Sequence, residues 1–366
     1  MKALTFLVRI LMGAVFAFSG FTKAVDPYGV SYKINDYFIA FGWLDMDSFA
    51  LPSAFLLSAL ELTVGIMLLL NLRARFATFL ALGLELIFTP ITLWLAITNA
   101  VSDCGCFGDF IKLTNWQTFW KNVIFLVMII FLIFRSKTFH NPLSDNVELG
   151  ISAAIYVFAI LFQTYMVRHL PIFDWRPYKV GNNIAQLMEV PDDAEKDSVV
   201  TLVTYQNTVT GEIKDFTMCM IPSSDDTTWV WKDTKTEVVK EGFRPDIHDF
   251  VVRDTSGFDY ADTLLKMDQP ILLVVAYDLY RSNEEGLNTL RYVQDYALEN
   301  NYLIIGYTAS DQAKVEQIKT DYSIDFPFFF GDGTAQKTII RANPGIVKLE
   351  KGTVTGKWNW RDFKTK

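Results

Sequence analysis

Apolar residues form long runs over roughly the first 170 positions and short alternating stretches after them. A bilayer-spanning helix needs about 20 mostly apolar residues. Five stretches approach or reach that length, at about residues 4–21, 51–70, 76–97, 119–134 and 149–167. The fourth is the shortest, and Trp116 and Trp120 mark its interface. Arg9 interrupts the first run and four more follow, so that run reads as a retained span, not a cleaved signal peptide. Short loops predict the orientation. Arg73 and Arg75 separate spans two and three, and Arg135 and Lys137 follow span four. The positive-inside rule puts both loops in the cytoplasm, although Lys23, Lys33, Lys112 and Lys121 on the other side moderate the asymmetry. The N-terminus is then inside, and everything after Arg168 is outside. This predicts a multi-pass protein of a bacterial inner membrane, in contact with lipid, with a periplasmic C-terminal domain.

Beyond the spans, Arg168-His169-Leu170-Pro171 and the aromatic and cationic residues 173–178 suit an interfacial linker. His169 there reads as a snorkelling polar residue. Residues 199–205 and 212–218 flank a turn at 208–211, a hairpin signal, and a second pair surrounds 229–231 and 236–240. After Pro270 the period changes. Strands are expected at 271–277, 302–307, 326–330, 346–350 and 353–358, with helices at 284–300, 311–322 and 334–341. A βαβ unit followed by a hairpin is a mixed α/β design. The expected fold class is therefore a polytopic α-helical membrane bundle followed by a soluble α/β domain.

The composition, 51% hydrophobic and 20% charged, agrees with that division. The first 169 residues hold 11 Lys/Arg against 10 Asp/Glu, which leaves 22 against 31 for the rest. An acidic domain offers no basic footprint for nucleic acid. Arg9, Glu61 and Glu85 fall inside spans. At about 1.5 Å per residue they lie about 9, 15 and 13 Å above the inner ends, so they are expected to face each other in one layer. Such a layer reads as a structural ion cluster, or as a proton relay or polar wall for a cofactor.

Three cysteines are too few for a disulfide framework. Two of them lie in Asp103-Cys104-Gly105-Cys106-Phe107-Gly108. Gly105 supplies the backbone freedom for a small disulfide ring suited to exchange. Lys23, Lys112 and Lys121 are candidates to favour a thiolate. Inert cysteines in a structural turn are the alternative reading. A metal site is disfavoured, because the loop offers two cysteines and no histidine. Cys219 reads as a buried core cysteine, with a shuttle thiol as the sharper alternative. Residues 326–330 read as a buried strand, and His140 and His248 stand alone.

Arg9, Gly13, Ser19-Gly20, Lys23, Asp26-Pro27, Gly29, Glu61, Gly65 and the Asp103–Gly108 motif together resemble the DoxX/MauE family of bacterial inner-membrane proteins. The likeness covers about residues 1–140, and the Cys-Gly-Cys-Phe-Gly loop is closest to the MauE-like branch. It implies a four-helix bundle that assists disulfide formation or maturation of a periplasmic partner, as in methylamine utilisation. The bundle also resembles quinone-linked disulfide-forming proteins of the DsbB and VKOR type, which makes a membrane quinone the cofactor implied, although their Cys-x-x-Cys is absent. Residues 247–257 and Asn343-Pro344-Gly345 resemble the thioredoxin-like fold of the TlpA and peroxiredoxin-like branch, over about 245–365. Tyr280-Arg281-Ser282-Asn283 stands where its dithiol would be, which implies a domain that docks a partner.

The expected domains are the bundle at 1–140, a fifth span and linker at 141–180, a β-rich extension at 181–245 and the thioredoxin-like domain at 246–366. The expected function is a thiol–disulfide redox or maturation factor acting through Cys104 and Cys106. The alternative is a non-enzymatic membrane scaffold for a periplasmic partner.

Overall fold

The computed structural model describes residues 2–101, 103–111, 113–135, 139, 143–191, 193–195, 198–223, 226–240 and 242–363, with their side chains except at 219 and 237–240. Lys112, Lys137, His140 and the Cys219 side chain lie outside the described residues. The chain divides into two compact units, one formed by 1–182 with 251–366 and the other by 183–250.

Among the described residues, five helices of the first unit are long and apolar enough to cross a membrane: α1 (Lys2–Val25), α3 (Asp47–Leu70), α4 (Ala74–Thr98), α5 (Asn115–Arg135) and α6 (Asp145–Arg168). Each extends the expected apolar run by a turn or less at most ends, because polar residues at the ends complete the helices. Large apolar side chains cover the outside of the bundle, among them Leu7, Phe79, Leu86, Phe134 and Phe158. That surface suits lipid, and the chain is a multi-pass membrane protein. The core runs through Met12, Phe16, Val64, Leu68, Ala77, Ala81, Leu84, Ile129 and Leu132.

Glycine sets the tightest contact, between α1 and the antiparallel α3. A Cβ on Gly20 would lie 2.2 Å from the Leu62 nitrogen, and one on Gly65 would lie 2.1 Å from the Ala17 nitrogen. Only hydrogen fits there, as in close crossings of membrane helices generally. The pairing also fixes which residues of the two helices share a level.

A further helix, α2 (Pro27–Ala40), was not foreseen in the loop after the first span. Asp26 caps it by accepting from the Gly29 N–H at 2.9 Å, and Pro27 opens its first turn. Both are helix-start signals.

The α/β part of this unit is a five-stranded sheet in the order β6-β5-β4-β7-β8. Its strands are β4 (Ile271–Val275), β5 (Leu303–Thr308), β6 (Phe328–Phe330), β7 (Gly345–Glu350) and β8 (Thr353–Asn359). Strands β4, β5 and β6 are parallel, and β7 and β8 add antiparallel. The helices are α8 (Ala261–Lys266), α9 (Glu284–Glu299), α10 (Gln312–Tyr322) and α11 (Gly333–Ile339). Every residue of β4 is buried, as expected of a central strand covered on both faces. Leu272 and Val274 pack with Leu287, Leu290 and Val293 of α9 and with Val315 and Ile318 of α10. The Asn343–Pro344 bond is cis.

The linker after α6 is stitched to the end of this sheet. His169 Nδ1 lies 2.6 Å from Asp362, and Asn359 donates to the His169 carbonyl at 2.8 Å. Asp174 pairs with Arg176 at 2.7 Å and Lys357 at 2.6 Å. Burial pushes the Asp174 carboxyl up, but these two cations outweigh it and hold it down at about 2.

The second unit contains the short helix α7 (Ile184–Met188) and an antiparallel sheet in the order β2-β1-β3. Strands β1 (Ser198–Asn207) and β2 (Ile213–Thr217) form the expected hairpin. The expected second hairpin does not form. Residues 229–231 and 236–240 belong to one strand, β3 (Trp229–Lys240), paired with β1 along its length. The intervening polar residues have strand geometry because β1 supplies a partner for them. A single 3₁₀ turn, Met218–Met220, carries Cys219.

Candidate functional site

The spans alternate in direction, so α1, α4 and α6 end, and α3 and α5 begin, at one end of the bundle. That end carries α2, the cysteine loop and the α/β sheet. A cavity of about 300 Å³ opens there between α1, α3, α4 and α5, with α2 and the cysteine loop over it. Its wall is mostly aromatic and aliphatic, with polar groups from Ser19, Lys23, Lys33, Tyr37, Glu61, Glu85, Thr92, Lys121 and Asn122.

Cys104 and Cys106 are paired sulfur to sulfur in the loop, and Gly105 between them has φ +63°, the left-handed conformation that glycine adopts at least cost. Its neighbours hold the loop closely. Asp103 accepts from the Gly105 N–H at 3.0 Å and from Lys33 Nζ at 2.9 Å. The Tyr37 hydroxyl donates to the Cys104 carbonyl at 3.0 Å. Burial, then the charges of Asp103 and Asp36, raise the Tyr37 phenol well above its usual range, so it stays a neutral donor. Ser19 Oγ lies 2.7 Å from the Cys106 carbonyl and 2.8 Å from Glu61 Oε2, and its one proton can serve either.

The predicted intramembrane residues do not meet as a triad. Lys23 Nζ reaches both Glu61 oxygens at 2.7 Å, and this pair is almost fully buried. Glu85 lines the same cavity, and its Oε2 has no hydrogen-bond partner among the described residues. Arg9 is elsewhere. It donates to the carbonyls of Leu68 and Leu69 near the end of α3, with the Leu69 contact at 3.3 Å. Counting depth from the ends of hydrophobic runs put Arg9 level with Glu61. The glycine-set register instead pairs Gly20 with Leu62 and Gly13 with Leu69, so Arg9 faces the last turn of α3. Lys23, expected to stabilise a thiolate, is committed to Glu61. Lys121 belongs to α5, points into the cavity over the rings of Phe107 (4.9 Å) and Phe125 (5.4 Å), and has no carboxylate partner within salt-bridge distance among the described residues.

Sequence reasoning also missed the contacts that tie the sheet to the loop. Arg341 Nε donates to Asp26 Oδ2 at 2.9 Å and Nη2 to Asp109 Oδ2 at 3.0 Å. Arg341 is 5% exposed and also donates to the Lys337 carbonyl. Burial alone would lower its pKa, but Asp26 and Asp109 outweigh that and raise it. Asp26 caps α2 and Asp109 lies three residues past Cys106, so one guanidinium holds both covers of the cavity. The Tyr280–Asn283 segment follows β4. Its Asn283 caps α9, accepting from Gly286 N at 3.1 Å, and its Arg281 reaches Asp47 of α3 at 2.6 Å. Among the described residues no three His, Cys, Asp or Glu side chains converge on a metal position.

These features define a multi-pass membrane protein whose bundle carries a two-cysteine loop above a buried polar cluster. Residues 1–135 match the family model described as Methylamine utilisation protein MauE. No curated protein matches the chain.

Proposed function

We propose that this chain is a thiol–disulfide exchange protein of a bacterial inner membrane that oxidises or matures protein partners on the periplasmic side. The observation that carries the reading is the loop of Cys104 and Cys106 clamped by Lys33, Tyr37 and Ser19 at the mouth of a cavity. The MauE match over residues 1–135 adds to it. Arg73, Arg75 and Arg135 at the opposite end support a cytoplasmic side there. In the exchange, a partner thiolate attacks one loop sulfur, the Cys104–Cys106 bond breaks and a mixed disulfide forms. A second partner thiolate displaces the loop sulfur. The partner is oxidised by two electrons and the loop is left as two thiols.

The domain partition follows the same reading: a bundle at 1–140, a fifth span and linker at 141–180, a β-rich extension at 181–245 and a thioredoxin-like domain at 246–366. The β4-α9-β5-α10 order followed by the β7-β8 hairpin supports a thioredoxin-like fold. With Tyr280-Arg281-Ser282-Asn283 in place of a dithiol, that domain docks and orients. A purely non-enzymatic scaffold is the second reading, favoured by the Arg281–Asp47 contact, which spends that edge on the bundle.

The deciding test is a Cys104→Ser/Cys106→Ser double variant in a strain lacking the chromosomal copy. Loss of function, with the wild-type pair trapped by alkylation in both dithiol and disulfide forms, is the expected result. Full complementation by the double variant would replace the redox reading with the scaffold.

A further inference from the structure

Resting on the exchange reading above, we infer that the two loop cysteines have fixed and different roles. Cys106 Sγ is the sulfur that a partner thiol attacks, and Cys104 Sγ is the sulfur that leaves, its charge held by the Thr118 hydroxyl and the Cys106 N–H.

Exchange at a disulfide is a displacement in which one sulfur accepts the new bond and the other departs as a thiolate. Of the two possible displacements, the faster is the one whose departing sulfur carries negative charge at least cost. The two sulfurs of this loop differ in that respect. The Cys106 N–H donates to Cys104 Sγ at 3.2 Å. Thr118 Oγ1 lies 3.5 Å from the same sulfur and 3.1 Å from the Thr114 carbonyl, and its one proton can serve either. While the sulfurs are bonded, the carbonyl is the better acceptor. Once Cys104 Sγ is an anion, a charge-assisted bond to sulfur becomes the stronger choice. Among the described residues no hydrogen bond reaches Cys106 Sγ.

The position of Thr118 adds to the difference. It is fully buried and stands in the first turn of α5. Cys104 Sγ therefore backs onto the start of a long helix, where the positive end of the helix dipole favours a thiolate. Asp103, the carboxylate of the loop nearest in sequence, is paired with Lys33, which offsets its repulsion of a charge on the loop.

The step balances. A partner thiolate bonds to Cys106 Sγ as the Cys104–Cys106 bond breaks, and the electron pair of that bond goes to Cys104 Sγ, which then takes a proton from water. A second partner thiolate attacks the partner's own sulfur in the mixed disulfide and releases Cys106 Sγ, which takes the second proton. The partner gives up two electrons and two protons, and the loop gains both.

The test uses the oxidised full chain in lipid nanodiscs with reduced glutathione as the probe. At early times free thiols are blocked with N-ethylmaleimide, and fragmentation of the tryptic peptide reads which cysteine carries glutathione and which carries maleimide. Cys219 falls in a separate tryptic peptide, after Lys214. Glutathione on Cys106 and maleimide on Cys104 are expected in most of the opened chains. Glutathione mainly on Cys104, or equally on both, overturns the assignment and leaves the exchange reading standing. No opening at either sulfur removes the exchange reading, and the assignment with it. Thr118→Val keeps the shape of the side chain without its hydroxyl and should slow opening by about tenfold, as expected for loss of a hydrogen bond to a charged group. Thr118→Ser, which restores the hydroxyl, should open at close to the wild-type rate. Single-cysteine chains separate this from packing. Adding Thr118→Val should slow alkylation of Cys104 by iodoacetamide in the Cys106→Ser chain and leave alkylation of Cys106 in the Cys104→Ser chain unchanged. Equal slowing of both, or of neither, overturns the role of Thr118.

Discussion

At the residue scale, Arg341 carries the largest concentration of buried charge between the sheet and the bundle. It satisfies two carboxylates, the buried Asp26 and the half-buried Asp109. Removing one member of such a group strands the others, which typically costs about 3 kcal/mol or more. Arg341→Met should therefore lower stability by about 3 kcal/mol and loosen the cysteine loop. Asp109→Asn should cost less, because Arg341 keeps both oxygens of Asp26. Thermal unfolding in detergent checks the order, and an Arg341→Met chain that melts with the wild type would refute it. None of this was legible in the sequence, where Asp26, Asp109 and Arg341 are separated by more than 80 and 200 residues and no periodicity links them. Arg9 shows the opposite failure. Its presence in a span was plain, but its partners depend on helix register, which hydropathy does not encode. Cys104 and Cys106 were legible because their chemistry is local: two thiols and a glycine within three positions.

At the element scale, the five spans were readable from length and apolarity alone, because the bilayer imposes both. Helix α2 was not, because its apolar content is modest and it lies within an expected loop, although Asp26-Pro27 carried a start signal. Its register matters, since Val30, Lys33, Ile34 and Tyr37 face the cavity while Tyr32 bonds Tyr277 of the sheet at 3.2 Å. The α1–α3 crossing gives the sharpest element-level expectation. Gly65→Ala drives a methyl group to 2.1 Å from the Ala17 backbone, so the helices must separate. The loss should be about 1–3 kcal/mol, the range for overpacked cores, and the Lys23–Glu61 pair should become more accessible. Gly150→Ala in α6 is the internal control, because a Cβ there meets nothing within 4 Å. It should be neutral or slightly stabilising through helix propensity. Equal melting of the two variants would remove glycine packing as the source of the register.

At the scale of the whole molecule, the alternation of the α/β sheet was legible because each strand and helix has its own period, and the β3 error arose where a polar stretch joined two apolar ones. What the sequence alone could not supply was the docking of that sheet on the cavity end of the bundle, through Arg341 and Arg281. That arrangement makes orientation a question about function, because the cysteine loop and the sheet must share a compartment. Among the described residues five helices are long enough to span, and an odd number puts the start of α1 and the end of α6 on opposite sides. Arg73, Arg75 and Arg135 cluster at the end away from the cysteines, and such charges favour the cytoplasm. The expectation is therefore that a phosphatase reporter active only outside the cytoplasm works when fused after Lys366 and fails when fused after Arg135. After mild reduction of intact spheroplasts, a membrane-impermeant maleimide should label Cys104 and Cys106. A reporter active only in the cytoplasm, working after Lys366, would put the cysteines in a reducing compartment and leave a disulfide-forming role without its oxidising surroundings.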